Sequence, residues 1–143
     1  MAEAPSPSDS WTSVGRTSNT QYHRAEPDVL IVLPDANLKD DGPSAMMNAD
    51  FQLAFARAAG RPVAVVVQMT SLLSQDGAAR RVYAERMEPK LFFAAALVAT
   101  NPMSRAIASF FLGLTKPKIP TRVFDSFDAA LAWVAEARPR EGA

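Results

Sequence analysis

The sequence holds few side chains that could perform catalysis. It contains no cysteine and one histidine, His23, which excludes thiolate metal sites, thiol nucleophiles and any site that needs two imidazoles. Ser71, Ser74 and Asp76 are residue types found in hydrolase triads, but neither serine lies in a G-x-S-x-G motif and the histidine is far upstream. No G-x-G-x-x-G or Walker motif is present. These observations predict a protein that is not an enzyme and that holds no cofactor.

The acidic residues do not form a recognisable metal site. Asp35, Asp40 and Asp41 lie close together in the sequence, but they lack the ligand spacing of an EF-hand loop. His23 has no second ligand near it in the sequence, and a lone histidine is rarely a metal site. We therefore predict no bound metal.

Short apolar runs alternate with segments of helical period, and these elements must position any site. Three runs are continuously apolar, as in strands covered on both faces of a sheet: residues 29–33, 63–67 and 92–99. Thr121–Phe124 is a shorter fourth candidate, and residues 22–24 are predicted to pair antiparallel with the first run as an edge hairpin.

Four segments between and after these strands have the spacing of amphipathic helices. The first is bounded by Pro43 and Gly60, the second ends at Pro89, and the last begins after Ser126 as N-cap. The predicted inward residues are Met47, Phe51, Ala54, Phe55 and Ala58 in the first helix, Ala79, Val82, Tyr83 and Met87 in the second, Met103, Ile107, Phe110, Phe111 and Leu114 in the third, and Phe127, Ala130, Leu131 and Val134 in the last. This alternation predicts an α/β fold with a mostly parallel sheet of four to five strands and about four helices.

Length and composition indicate one domain and exclude some partner classes. The chain has 143 residues, 48% of them hydrophobic, and its 15 basic residues balance its 15 acidic ones, which argues against a nucleic-acid binder. Residues 1–19 are rich in Pro, Ser and Thr, and we expect a disordered tail there unless Trp11 docks on the domain. The domain is predicted over residues 20–138 and a disordered end over 139–143. No apolar run is long enough to span a bilayer and no signal peptide is recognisable, so we expect a cytoplasmic protein.

Two stretches carry a family resemblance. The segment VAVVVQMTSLLSQDG, residues 63–77, resembles the central signature of STAS domains, in which a strand leads to Asp-Ser-Ser-Gly at the start of a helix; Ser74, Gln75, Asp76 and Gly77 occupy these four places, and the glycine alone matches. A second set is similar to the C-terminal half of bacterial STAS/SEC14-like proteins: Asn101-Pro102-x-Ser104-Arg105, Phe110-Phe111-x-Gly-Leu114, Lys116-Pro117, Pro120-Thr121-Arg122-x-Phe124 and Ala130-Leu131-Ala132-Trp133. The resemblance extends over about residues 22–138.

The resemblance implies a SpoIIAA-like fold and a role in recognition rather than catalysis. STAS-type antagonists switch through a phosphorylated serine at a helix start, where the helix dipole meets the phosphate. Ser74, Gln75 and Asp76 are the equivalents of the switch position; Asp76 stands at the place of the phosphorylated serine and cannot accept phosphate, and Gln75 also lacks a hydroxyl. Asp76 either mimics the charged state or is an ordinary acidic residue at a helix start, which we favour.

A small-molecule site is one alternative for binding. Asn101–Arg105 opens a helix after a buried strand, where backbone N–H groups could bind an anion or headgroup; the favoured alternative is an ordinary helix start with Asn101 as N-cap. The SEC14 part of the resemblance implies a lipid-like cavity, whereas the helical spacing of the apolar residues is more often typical of core, which we favour. The candidate pocket residues are Asn101, Ser104, Ile107, Phe110 and Phe111.

A basic patch is the other candidate. Residues 1–60 contain four basic and eight acidic residues, and residues 61–143 contain eleven and seven. The candidate partner-binding residues are Arg105, Lys116, Lys118 and Arg122, around a loop that Pro117 and Pro120 restrict. We predict a non-catalytic bacterial module, regulatory or in assembly, that binds a protein partner, for which the basic residues suggest an acidic surface. The alternative is a carrier or sensor of a small hydrophobic or lipid ligand. The oligomeric state is not indicated.

Overall fold

The structure is a computed structural model, and it describes residues 8–140. Parts of the predicted disordered ends, residues 1–7 and 141–143, lie outside this range. The strands are β1 Thr12–Arg16, β2 Thr20–Glu26, β3 Val29–Pro34, β4 Leu38–Asp40, β5 Val63–Gln68, β6 Leu72–Gln75, β7 Phe92–Val98 and β8 Thr121–Phe124. The helices are α1 Gly42–Ala59, α2 Gly77–Arg86, α3 Pro102–Thr115 and α4 Phe127–Ala137, with one short 3-10 turn at Met69–Ser71. No helix in the described range is long and apolar enough to cross a bilayer.

The main sheet has six strands in the order β1-β2-β3-β5-β7-β8. The pairs from β3 to β8 are parallel, and β1 and β2 pair antiparallel at one side. The structure therefore confirms the α/β class and the four predicted strands of the parallel part. It also confirms the antiparallel pairing of residues 22–24. The predicted number of four to five strands was wrong, because β1 adds outside β2 and takes the edge position that we expected for β2.

The strands β3, β5 and β7 are almost entirely buried, which explains why their sequences are continuously apolar. On one face, Val32, Val65 and Ala95 pack with α1 and α2 residues such as Leu53. On the other face, Ile31, Val66 and Ala96 pack against Ala130 and Val134 of α4. A third cluster joins α3, through Ala108 and Phe111, to the 3-10 turn and to the end of β7.

The N-terminal segment is ordered from well before the predicted boundary at residue 19. The side chains of β1 are mostly exposed, so its backbone pairing with β2 is what holds it. Trp11 packs edge-on against Phe127 at a ring-centroid distance of 5.1 Å and lies 6.3 Å from His23. An argument from side-chain hydrophobicity did not detect β1, because backbone hydrogen bonding leaves little mark on composition.

A small second sheet lies beside the main one. β4 and β6 pair in parallel, with Asp40 opposite Gln75. Neither strand was predicted, since each is only three or four residues long and combines polar residues with one or two leucines. This pairing brings the segment before α1 next to the segment before α2.

The ends of α1 agree with the prediction, but the buried face differs. The helix has Asp41 as N-cap and ends at Gly60, whose φ of 69° is the left-handed conformation that favours glycine. Ala54 and Ala58, which we expected to face the core, are exposed. The buried side instead combines small apolar residues with polar ones: Ser44, Ala45, Asn48, Ala49, Gln52, Leu53 and Ala56.

An ion-paired cluster joins the end of α4 to the turn between β2 and β3. Arg138 donates to both carboxylate oxygens of Asp28, at 2.8 and 3.1 Å, and to Glu26 at 3.0 Å. These hydrogen bonds raise the pKa of Arg138. The cluster therefore links the C-terminal helix to the antiparallel side of the sheet.

Substitution by alanine should have opposite effects on stability at two glycines, Gly113 inside α3 and Gly60 at the C-cap of α1. Gly113 lies inside α3, and a Cβ there would meet no atom within 4 Å, so Gly113→Ala should raise the free energy of unfolding by roughly 0.5–1 kcal/mol. Gly60→Ala should lower it by about 1 kcal/mol because of its positive φ. Urea denaturation of both variants measures this, and equal effects would contradict the assignment of the two conformations.

Candidate functional site

A cavity of about 70 Å³ lies between the main sheet and the layer formed by α1, α2 and α3. Its floor is the apolar face of the sheet. Side chains from each of the three helices, or from the loop after α3, complete it. Its lining includes the apolar Val32, Val65, Val67 and Leu97, the aromatic Phe111 and Tyr83, and the polar Asp40, Asn48, Gln52 and Gln75. The cavity is thus apolar over most of its wall and polar at one end.

Asp40 is the charged group at the polar end. It is only 5% exposed, and it lies at the end of β4, directly before α1. The hydroxyl of Ser44 donates to its Oδ1 at 2.7 Å, and the amide of Gln75 donates to its Oδ2 at 3.1 Å. Burial raises the pKa of Asp40, and hydrogen bonds from Ser44, Gln75 and Tyr83 oppose this rise.

A polar network extends from this acid along α1. Ser44 accepts a hydrogen bond from Asn19 at 3.0 Å, and Asn48 donates to Asn19 at 2.9 Å. The hydroxyl of Tyr22 donates to Oδ1 of Asn48 at 2.8 Å and accepts from Gln52 at 3.3 Å. Burial raises the pKa of Tyr22, so it stays a neutral donor. The network fixes the inner side of α1 against β2.

Tyr83 and Gln75 complete the polar end from the side of α2. Burial and the nearby charge of Asp40 raise the pKa of Tyr83, which keeps its hydroxyl protonated. The Oε1 atom of Gln75 is buried and has no hydrogen-bond partner among the described residues. At the polar end of the cavity, Gln75 Oε1 is therefore a hydrogen-bond acceptor for which the described residues provide no donor.

Nothing in the described range resembles a metal centre. No group of three His, Cys, Asp or Glu residues comes together within residues 8–140. His23 lies on β2 at the opposite face from the cavity, beside Trp11, and burial lowers its pKa.

The predicted pocket residues divide among three places. Asn101 and Ser104 form a capping box at the start of α3, with Asn101 Oδ1 accepting from the Ser104 N–H at 2.8 Å, as in an ordinary helix start. Phe111 lines the cavity, and Ile107 is half-buried against the same cluster. Phe110 points outward. The strand order from β3 to β8 has no reversal, and a shallow surface pocket beside the start of α3 is lined by Arg105, Ser109 and Asp125.

The apolar residues of α3 are split between its two sides. Phe111 is 9% exposed, whereas Met103, Phe110 and Leu114 are 53%, 59% and 65% exposed. The expectation that all five belong to the core was therefore wrong for three of them. Helical spacing groups residues on a face, and a stripe that includes both Phe110 and Phe111 is too wide to be buried on one side. We call Met103, Phe110 and Leu114 the outer face of α3.

The four predicted partner-binding cations lie on α3, on the loop after it and on β8. Arg105 is in the first turn of α3 and Lys116 caps its C-terminus, about 16 Å away along the helix axis by the rise per residue. Lys118 lies in the loop near Lys116 and donates to the backbone carbonyl of Glu85. The guanidinium of Arg122 packs over the rings of Phe124 and Trp133, at 5.6 and 5.8 Å. None of the four forms an ion pair within residues 8–140.

The switch-position residues have structural roles. Asp76 is the N-cap of α2, and its carboxylate accepts from the Ala79 N–H at 2.9 Å. Ser74 is exposed on β6, and Gln75 bonds Asp40. The equivalent of the switch position therefore supports the buried acid.

The sequence contained one signal for the buried polar network that we did not use. Ser44, Asn48 and Gln52 recur at intervals of four residues, so they share one side of α1. Such a polar stripe inside a helix that must pack on a sheet indicates an internal hydrogen-bonding network or a polar cavity. Asp40 was considered only as a possible calcium ligand.

The buried acid predicts a pH-dependent stability. Because the pKa of Asp40 is raised above its ordinary value of 3.8, the native state binds this proton more tightly than the unfolded chain. Its contribution to stability is full below the ordinary pKa and is lost as the pH rises through the raised pKa. The stability of Asp40→Asn relative to the wild type should therefore increase from about pH 4 to pH 7. Urea denaturation at both pH values measures this, with exposed Asp128→Asn as the control, and a constant difference would contradict it.

Comparison with known proteins supports the fold. The crystal structure of an uncharacterized protein of the DUF3478 family from Shewanella loihica PV-4, described as having a SpoIIAA-like fold, is similar with a TM-score of 0.50 and 12% identity, over 90% of this chain and 98% of that one. No curated protein matches the sequence. The resemblance stated from the sequence is thus confirmed at the level of a SpoIIAA-like fold. A family model, the domain of unknown function DUF7793, matches residues 28–138, and the chain belongs to this family.

Proposed function

We propose that this protein is a non-catalytic module that binds a protein partner through the outer face of α3. The observation that carries the proposal is the exposure of Met103, Phe110 and Leu114 on one helix. Single exposed apolar residues are common on protein surfaces, but large ones grouped on one surface mark interaction sites. An aromatic anchor such as Phe110 is the kind of residue that contributes most to binding energy.

The shape of this face suits a helix. The three residues are separated by seven and four positions, so they form a stripe along the axis of α3. Gly113 is exposed next to this stripe and has open space above it, so the backbone of a partner could approach closely. An amphipathic helix with an apolar stripe of its own would cover such a surface.

The charges around the stripe favour an acidic partner over a second copy of this chain. α3 contains no acidic residue, and Arg105 and Lys116 lie at its two ends. Two copies packed through this face would bring like charges together, which is unfavourable. The partner that fits is a protein with an apolar helix face and carboxylates near both ends of it.

The resemblance to STAS/SEC14-like proteins supports the same type of role. Its motifs include Phe110 and Leu114 of the outer face and the flanking Arg105 and Lys116, whereas Met103 falls at a variable place of the motif. We propose a regulatory or assembly function in the bacterial cytoplasm. The loss of a hydroxyl at Asp76 implies that this function does not depend on phosphorylation at that place.

Alanine variants of the adjacent residues Phe110 and Phe111 should distinguish a loss of partner binding from a loss of stability. Phe110→Ala should change the free energy of unfolding by no more than about 0.5 kcal/mol and should weaken partner binding at least tenfold. Phe111→Ala should cost about 3 kcal/mol of stability, because its ring faces the interior. Partners captured by the wild type are compared with those captured by Phe110→Ala, and a captured protein counts only if the variant loses it.

Two further results would overturn the proposal. One is equal destabilisation by the two alanine variants, which would mean that Phe110 is buried. The other is a wild-type dimer that Phe110→Ala converts to a monomer, which would identify a second copy as the occupant.

The charges at the ends of the stripe should act on the association rate. In the double variant Arg105→Glu and Lys116→Glu, association with the captured partner should be slower at least tenfold at low salt, and this difference should shrink as salt is added. Lys90→Glu, an exposed charge in the loop before β7, is the matched control. Stopped-flow or surface-binding kinetics measure the rates, and an unchanged rate in the double variant would place the binding site elsewhere.

A further inference from the structure

We propose that the cavity beneath α1, α2 and α3 binds a small alkylammonium ion, with the Asp40 carboxylate as its counter-charge and Gln75 Oε1 as a second acceptor. This site lies on the inner side of α3, so it is separate from the proposed docking face. The alkyl part of the ligand would occupy the apolar part of the cavity.

The first observation is a buried carboxylate without a cation. The ion pairs within the described range use Asp35, Asp50, Glu26 and Asp28, and none includes Asp40. A carboxylate has about four lone-pair positions, and Ser44, Gln75 and Tyr83 provide three donors. A buried charge is costly unless it is paired, and a positively charged ligand would supply the missing partner.

The second observation is the unpartnered oxygen of Gln75. Its amide nitrogen donates to Asp40, which directs Oε1 away from the carboxylate. The opposite orientation of the amide would place two acceptor oxygens against each other. The polar end therefore lacks donors, and an ammonium group, with three donors and no acceptor, matches it. A carboxylic acid anion would be repelled.

The third observation is the size and lining of the remaining space. Val32, Val65, Val67 and Leu97 form apolar walls that offer no hydrogen bonds. A volume of about 70 Å³ corresponds to roughly five water-sized spheres, which fits a chain of about four carbons with its nitrogen. A metal ion would leave the apolar part empty and would find too few carboxylates. These features together indicate a short primary amine.

The test compares three molecules of equal length that differ in the head group. The full chain is titrated with n-butylammonium, 1-butanol and butyrate at pH 7, and binding is followed by calorimetry and by NMR of the methyl groups of Val65 and Leu97. We expect butylammonium to bind at least about tenfold more tightly than 1-butanol, since hydrogen bonds to a charged group are stronger. Butyrate should not bind.

Two measurements link the binding to Asp40. Asp40→Asn should weaken butylammonium binding at least tenfold while leaving 1-butanol within about threefold, and Asp128→Asn on the outside of α4 should change neither. In the wild type, affinity for the amine should fall as the pH is lowered, because a protonated Asp40 has no charge. At the lower pH, where a fraction of Asp40 is protonated in the free protein, calorimetry in two buffers of different ionisation enthalpy detects the proton that this fraction releases on binding, so this second test does not depend on the variant folding.

Any of three results would overturn the inference. These are equal affinity for the amine and the alcohol, an amine affinity that Asp40→Asn does not change, and no saturable binding of the amine. Phe110→Ala should bind butylammonium like the wild type. Failure of the cavity site and failure of the docking face can therefore be told apart.

Discussion

Burial of the central strands on both faces is the constraint on which the rest of this structure depends. β3, β5, β7 and β8 follow one another across the sheet in a single direction, and parallel crossovers are right-handed, so α1, α2 and α3 all lie on one face. The other face is covered by α4, and Trp11 packs against the same cluster. In the row of three helices, α3 is the last, with α2 as a neighbour on one side only. Leu114 of the outer face borders an open groove between α3 and α2, opposite Arg80 and Arg81.

The same row of helices accounts for the cavity. α1 and α2 pack on each other, but α1 presents polar side chains toward the sheet at Ser44, Asn48 and Gln52. These three residues and Tyr22 form hydrogen bonds with one another. They do not fill the interior with apolar side chains. A core built in this way keeps a specific arrangement at the expense of packing density. The buried Asp40 and the cavity beside it therefore both follow from the polar side chains on the inner side of α1.

The parallel part of the fold could be predicted because it depends on side-chain hydrophobicity, which the sequence displays directly. β3, β5 and β7 are uninterrupted apolar runs, and Gly60 and Ser126 mark helix ends by well-understood chemistry. β1, β4 and β6 could not be predicted in the same way, because backbone pairing holds them and their side chains are largely polar or exposed. The site was harder still: the period of α3 identified Phe110 and Phe111 together, and only the tertiary contacts show which one faces out. Asp40 gave no signal by itself, since its role depends on Gln75 from a distant segment.

The ion pair between Asp28 and Arg138 has a consequence for the architecture of larger proteins. These two residues are the first and last positions matched by the family model, and they are in direct contact. The segment that defines the family therefore begins and ends at one point on its surface. A unit with adjacent ends can be inserted into a surface loop of another protein without separating the two strands of that loop, and its own ends can be joined and reopened elsewhere. In this chain residues 28–138 form such a unit, and β2 is added to it as an antiparallel strand through its pairing with β3.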